Sequence, residues 1–128
     1  MDEQINMPEH IAIIMDGNRR WAKQRGLGAS DGHKEGAEAL VRVARYCNEI
    51  GIKYLTVYAF STENWKRSKE EVGALMKIFR FYIDKFAKKV NSSNIRLKIL
   101  GDIEALEDGL KNAMKNVMEK TKDNTGLT

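Results

Sequence analysis

The stretch His10-Ile-Ala-Ile-Ile-Met15, followed at once by Asp16-Gly17-Asn18, decides how the rest of the chain is read. A short apolar run that stops at turn chemistry predicts a buried strand, flanked on both faces as in a parallel sheet. Beyond it, residues 18–26 predict a helical turn closing at Gly26. Residues 26–32, Gly-Leu-Gly-Ala-Ser-Asp-Gly, predict a mobile loop. From Lys34 to Ile50, the residues Ala37, Leu40, Val41, Ala44, Cys47 and Ile50 recur at helical spacing, so one face is buried. Gly51 is placed to end that helix.

Residues 53–60, Lys-Tyr-Leu-Thr-Val-Tyr-Ala-Phe, are β-branched and aromatic and predict a second strand. Ser68 with Glu71 matches a capping box that opens a helix over 69–90. Its apolar stripe is Val72, Leu75, Met76, Phe79, Tyr82, Ile83, Phe86 and Val90, a core face by default that could also line an apolar channel. Ile95, Leu97 and Ile99 alternate with Arg96 and Lys98 and predict a third strand ended by Gly101-Asp102. Leu106, Leu110, Ala113, Met114, Val117 and Met118 mark a last helix, and Leu127-Thr128 the start of another strand. The order β-α-β-α-β-α predicts an α/β fold, a parallel sheet flanked by helices with right-handed crossovers, in a single domain over 1–128. Ligands in such sheets sit beyond the C-terminal ends of the strands. Asp16 and Phe60-Ser61 both fall at strand ends, hence on one rim.

Composition bounds the chemistry loosely. The 128 residues are 42% hydrophobic and 31% charged, as in an ordinary globular domain. Lys and Arg outnumber Asp and Glu by 22 to 18, and that mild excess suits an anionic small molecule or a membrane surface as well as nucleic acid. Clustering says more: Arg19, Arg20, Lys23, Arg25 and Lys34 fall near the Gly-rich stretch. A lone cysteine, Cys47, excludes an internal disulfide and a cysteine-based zinc site and reads as a buried inert thiol. The N-terminus lacks the basic and apolar regions of a signal peptide, and no apolar run is long enough to cross a bilayer. The expected location is cytoplasmic.

Asp16, directly after a buried strand, can hold magnesium, a hard cation that prefers oxygen ligands and accompanies phosphates. Gly17 lets a backbone approach a ligand, the helix start behind it offers free N–H groups, and Arg19 and Arg20 add charge-assisted contacts. Asp16 could instead cap a turn beside solvated arginines. The second cluster, Ser61-Thr62-Glu63-Asn64-Trp65-Lys66-Arg67, combines hydroxyls, an amide, a carboxylate, an indole and a guanidinium just past a strand end. It could equally be a capped loop. His33, near the positive end of a helix, can stay neutral and donate to a phosphate. Trp21 is either a core anchor or a wall of the site.

Taken together, His10-Ile-Ala-Ile-Ile-Met-Asp-Gly-Asn-Arg-Arg-Trp-Ala-Lys23, Gly32-His-Lys-Glu-Gly36 and Tyr58-Ala-Phe-Ser-Thr-Glu-Asn-Trp65 resemble the N-terminal half of the cis-prenyltransferase family. Milder matches are Arg96-Leu-Lys-Ile-Leu-Gly-Asp102 and Asn124-Thr-Gly-Leu-Thr128. The resemblance implies an isoprenyl transferase that condenses isopentenyl diphosphate with an allylic diphosphate such as farnesyl diphosphate, giving a cis-polyprenyl diphosphate. Carried over by position, Asp16 acts through magnesium, and Gly17, Asn18, Arg19, Arg20 and Trp21 hold the allylic diphosphate with His33. Ser61, Thr62, Glu63, Trp65 and Arg67 serve the condensing end, and Asn64 joins Asp16 in proton removal. The helix over 69–90 supplies part of an apolar tunnel. The resemblance further implies a homodimer, no nucleic-acid partner, and peripheral membrane contact through the lipid product.

Two departures from the family pattern stand out. Ala29 occupies a position where an arginine is usual, which leaves Arg25 as a substitute. The chain also stops well short of the family's length, before an Arg-x-Ser motif, a second acidic magnesium ligand and much of the dimer interface. A catalytically incomplete fragment or subunit that binds prenyl diphosphate is therefore the alternative. A phosphatase with Asp16 as nucleophile is more remote, because such sites want a second carboxylate where this chain has Asn18.

Overall fold

A computed structural model describes residues 6–59 and 66–128, apart from the side chains of Phe86 and residues 89–92. Strand β1 (His10–Ile14) leads into α1 (Asn18–Gln24) and α2 (Ala29–Ile50), then β2 (Tyr54–Tyr58), α3 (Lys69–Ser92) and α4 (Asp108–Thr121), with a short 3-10 turn at Ile103–Ala105. The two strands pair in parallel, from His10 opposite Tyr54 to Ile14 opposite Tyr58. This is the α/β arrangement the alternation of elements predicts, with α2 serving as the crossover.

α2 ends at Gly51, as its sequence implies, and the chain turns into the core through Ile52. Cys47, Ile52 and Leu127 form that core, with Ile11, Ala44, Leu55 and Ile95 packed against them. Cys47 is thus the buried free thiol expected. α3 lies against both α2 and α4. Among its described residues Leu75, Ile78 and Tyr82 are buried, so Ile78 joins the stripe read from the sequence. α4 buries Leu110, Met114, Val117 and Thr121, a spacing of one helical face.

Three expectations are corrected. Residues 29–32 are not loop but the first turn of α2, which begins at Ala29 rather than Lys34. The Asp31 carboxylate accepts the Gly28 N–H at 3.3 Å and so caps this turn, while Gly32 is buried. The strand at 95–99 does not form. Arg96 N–H donates to the Leu127 carbonyl, Leu97 N–H to Thr121 Oγ1 and Ile99 N–H to Met118 Sδ, so these donors are spent on α4 and the C-terminal segment rather than on a regular ladder. Finally, β1 is covered on one face only. Ile11 and Ile13 are half-buried, whereas His10, Ala12 and Ile14 are exposed, Ile14 by 75%. On α2, Ile50 also stays exposed, at the helix's last residue.

Leu127-Thr128 does extend as expected. Thr128 N–H donates to the Lys53 carbonyl at 3.0 Å and its own carbonyl accepts Leu55 N–H at 2.9 Å, a parallel pattern beside β2.

Candidate functional site

The turn after β1 is built around Asp16 and Gly17. Gly17 takes φ +81°, a left-handed conformation that disfavours any side chain, and α1 starts at the next residue. Asp16 Oδ1 accepts the Gly17 N–H at 2.7 Å and faces Arg20 Nη2 at 3.6 Å. Both side chains are largely in water, 84% and 75% exposed, so the pair adds little stability and is free to exchange partners. Further along α1, the Arg25 guanidinium lies 4.3 Å over the Trp21 ring and donates to the Trp21 carbonyl at 3.2 Å. Arg25, the candidate substitute for the arginine absent at Ala29, is therefore engaged on α1.

α1 is seated on α2 through two glycines. A Cβ at Gly32 would run into the Asn18 backbone carbonyl, and one at Gly36 into the Asn18 side-chain amide. Bare backbone at both positions lets the Asn18 turn press against α2. It also fixes where Arg19 and Arg20 emerge.

Arg19 then meets residues from two other parts of the chain. Glu71, in the first turn of α3, has Arg67 Nη1 at 2.9 Å, Arg19 Nε at 3.4 Å and His33 Nε2 at 3.5 Å, all on the same oxygen, Oε1. The Glu71 and His33 side chains are each 13% exposed. His33 Nε2 is buried and makes no hydrogen bond among the described residues, its contact with Glu71 being an ion-pair distance only. Burial holds the His33 pKa below its usual 6.5, with Glu71 opposing and Arg67 and Arg19 reinforcing that shift. The imidazole is thus neutral at pH 7, as the sequence expectation had it, though burial is the main cause.

Between the end of β1 and α2 lies a cavity of about 240 Å³. Ile13, Ile14 and Met15 line it from the strand and its end, Gly36, Ala39, Leu40 and Val43 from α2, and among the described residues Asp16 and Asn18 are its polar lining. A carboxylate and an amide beside an apolar hollow suit an amphiphile with a polar head and a hydrocarbon tail.

The structure therefore places Asp16, Gly17, Asn18 and Arg20 around one turn, and brings Arg19, His33 and Arg67 together on Glu71. Trp21 is half-buried on α1. Ser61, Thr62, Glu63, Asn64 and Trp65 lie outside the described residues. Sequence reasoning saw Glu71 only as a capping partner of Ser68, whose Oγ does accept the Glu71 N–H at 3.2 Å. The overlooked signal was Arg67 one helical turn before it, an i, i+4 pair on a helix that opens at the site's rim. No group of three or more His, Cys, Asp or Glu side chains stands ready for a metal among the described residues. Asp16 alone suits magnesium, which binds through one or two carboxylates and completes its shell with water and phosphate oxygens.

The prenyltransferase family described as "Putative undecaprenyl diphosphate synthase" matches residues 14–128. An isoprenyl transferase of Clostridium acetobutylicum is 50% identical over 122 residues, covering 95% of this chain and 48% of that protein. A farnesyl-diphosphate-specific ditrans,polycis-undecaprenyl-diphosphate synthase of Micrococcus luteus is 48% identical over 95% of this chain and 48% of its own length. Among solved structures, lavandulyl diphosphate synthase from Lavandula x intermedia, in complex with dimethylallyl diphosphate, superposes with a TM-score of 0.90 at 34% identity, over 94% of this chain and 52% of that one. The chain spans about half the length of the curated relatives it matches. With the family matched over most of its residues, the chain belongs to the undecaprenyl diphosphate synthase family of prenyltransferases.

Proposed function

We propose that this chain carries the allylic-diphosphate side of a cis-prenyltransferase site, and that its activity is condensation of isopentenyl diphosphate with an allylic diphosphate such as farnesyl diphosphate. The observation that carries the reading is the cavity at the end of β1, apolar except for Asp16 and Asn18. A hydrocarbon tail would enter between Ile14, Leu40 and Val43, leaving the diphosphate at the turn beside Arg20 and near the basic groups Arg19, His33 and Arg67. Arg20, 75% exposed and loosely paired, can exchange Asp16 for a phosphate oxygen without breaking a buried contact.

Asp16 would hold a magnesium ion on the diphosphate, where the metal supplies charge neutralisation for the departing pyrophosphate. His33, neutral and buried, would donate rather than carry charge. On family resemblance, Asn64 and Asp16 take part in removing the proton, and Ser61, Thr62, Glu63, Trp65 and Arg67 bind at the condensing end. Assembly as a homodimer is part of the same reading.

The test is titration of dimethylallyl and farnesyl diphosphate into the chain with magnesium. Binding by the unaltered chain that falls at least tenfold with Asp16→Ala supports the site, and equal affinity for the two proteins would refute it. A second reading is binding of prenyl diphosphate without turnover. Labelled isopentenyl diphosphate incubated with farnesyl diphosphate and magnesium separates the two: butanol-extractable long-chain label means turnover, and its absence with binding intact means the second reading.

A further inference from the structure

Glu71 collects bases from three parts of the chain, Arg19 of α1, His33 of α2 and Arg67 just before α3, onto a single oxygen. Helix capping does not need this arrangement. The cap at α3 uses the Glu71 backbone N–H on Ser68 Oγ, which leaves the carboxylate to other work. Nor is it a solvated surface pair, since the Glu71 side chain is 13% exposed.

Building on the diphosphate reading above, we propose that Glu71 is a positioning residue, holding Arg19, His33 and Arg67 in one preassembled basic cluster that receives the diphosphate. Two guanidinium groups against one carboxylate leave net positive charge beside a neutral imidazole, so the cluster is satisfied yet still attracts an anion. Arginine side chains lose rotamer freedom when a ligand immobilises them, and a carboxylate that orders them beforehand removes that cost from binding. Glu71 also lies 3.5 Å from His33 Nε2, a buried nitrogen with no hydrogen bond among the described residues, and so keeps the imidazole beside the two guanidinium groups.

Charge and alignment make opposite demands, which sharpens the test. Removing a negative charge beside an anion site would by itself strengthen anion binding. Weaker binding by Glu71→Gln can therefore only report lost alignment. Inorganic pyrophosphate and dimethylallyl diphosphate are the probes, titrated into the full chain. The expected result is about a tenfold weaker Kd for Glu71→Gln, an intermediate loss for Glu71→Asp, and a His33 ring titration that moves to lower pH. The Arg19 Nε–H and Arg67 Nη1–H signals should lose their separate, protected positions. Ser68→Ala is the control for a purely structural role: it should lower the melting temperature yet leave probe affinity within about twofold. Unchanged or tighter binding by Glu71→Gln would overturn the proposal, and so would an equal loss in Ser68→Ala. Should the unaltered chain bind neither probe, the diphosphate reading fails separately. The positioning claim then stands or falls on the His33 titration and the two arginine signals, and their indifference to Glu71→Gln would end it.

Discussion

Asp16 and Glu71 are both carboxylates beside arginines, but they are built to opposite plans. Asp16 sits 84% exposed, held by the N–H of its own neighbour and by an arginine four residues on. Glu71 is 13% exposed and ties three distant segments together. An exposed carboxylate with local partners can trade them for a cation or a ligand at little cost. A buried one with long-range partners is part of the architecture, and its loss is felt across three elements.

The contrast can be broken at its shared base first. Gly32→Ala drives a methyl into the Asn18 carbonyl and should unseat α1 from α2, moving both carboxylate regions at once. A loss of about 3 kcal/mol is expected in urea unfolding, and an unaltered midpoint would mean the two helices are not closely joined. Next comes Glu71→Ala, which leaves Arg67 without its counter-charge and removes the carboxylate beside His33. With Arg19 59% exposed and contributing little, about 1–2 kcal/mol is expected from thermal or chemical melts.

A smaller effect is set by pH. The folded His33 pKa lies below 6.5, so the unfolded chain binds more protons on acidification, and stability falls as pH drops through 6.5 toward the folded value. Replacing His33 with Asn should flatten that part of the stability–pH curve; the same slope in both proteins would assign it elsewhere. Smallest is Asp16→Asn, expected to change stability by no more than about 0.5 kcal/mol while it weakens magnesium-dependent binding of allylic diphosphate. Should the same substitution destabilise the fold by as much as Glu71→Ala, the distinction between the two carboxylates would collapse.

The sequence made most elements legible because their periods are strong: β1, β2, α2, α3 and α4 all appear where apolar spacing puts them. The start of α2 was hidden because Gly-Leu-Gly-Ala-Ser-Asp-Gly has the composition of a loop. Its cap is an interaction between Gly28 and Asp31, and its glycines serve helix contact rather than flexibility. Alternation at Ile95, Leu97 and Ile99 looks the same whether the partner is a strand or a helix, and here Thr121 and Met118 of α4 take the backbone donors. Of the site, Arg19, His33 and Arg67 were each readable as candidates but in separate groups, and their meeting on one carboxylate was not. Their focus, Glu71, carried only the local signal of Arg67 four residues before it, and nothing in the sequence says that Arg19 and His33 share the same carboxylate. Coverage of β1 on a single face was equally beyond reach, since the run Ile-Ala-Ile-Ile carries no mark of what lies above it.

The segment ending in Leu127-Thr128 has a consequence for the order in which the molecule is made. Gly126 and Leu127 bond to Asn94 and Arg96 on one side, Thr128 bonds to Lys53 and Leu55 on the other, and Leu127 N–H reaches the Asn48 side chain, 79 residues away. Residues near 54 and near 95 are thus stitched to each other by residues 126–128, which lie far from both along the chain. β1, α2 and β2 can dock early as a local unit, and α3 packs on α2 directly, while the segment around residue 95 is joined to β2 through this later stretch. Such late, long-range closure slows folding and keeps the inner edge of β2 available to other strands in the meantime.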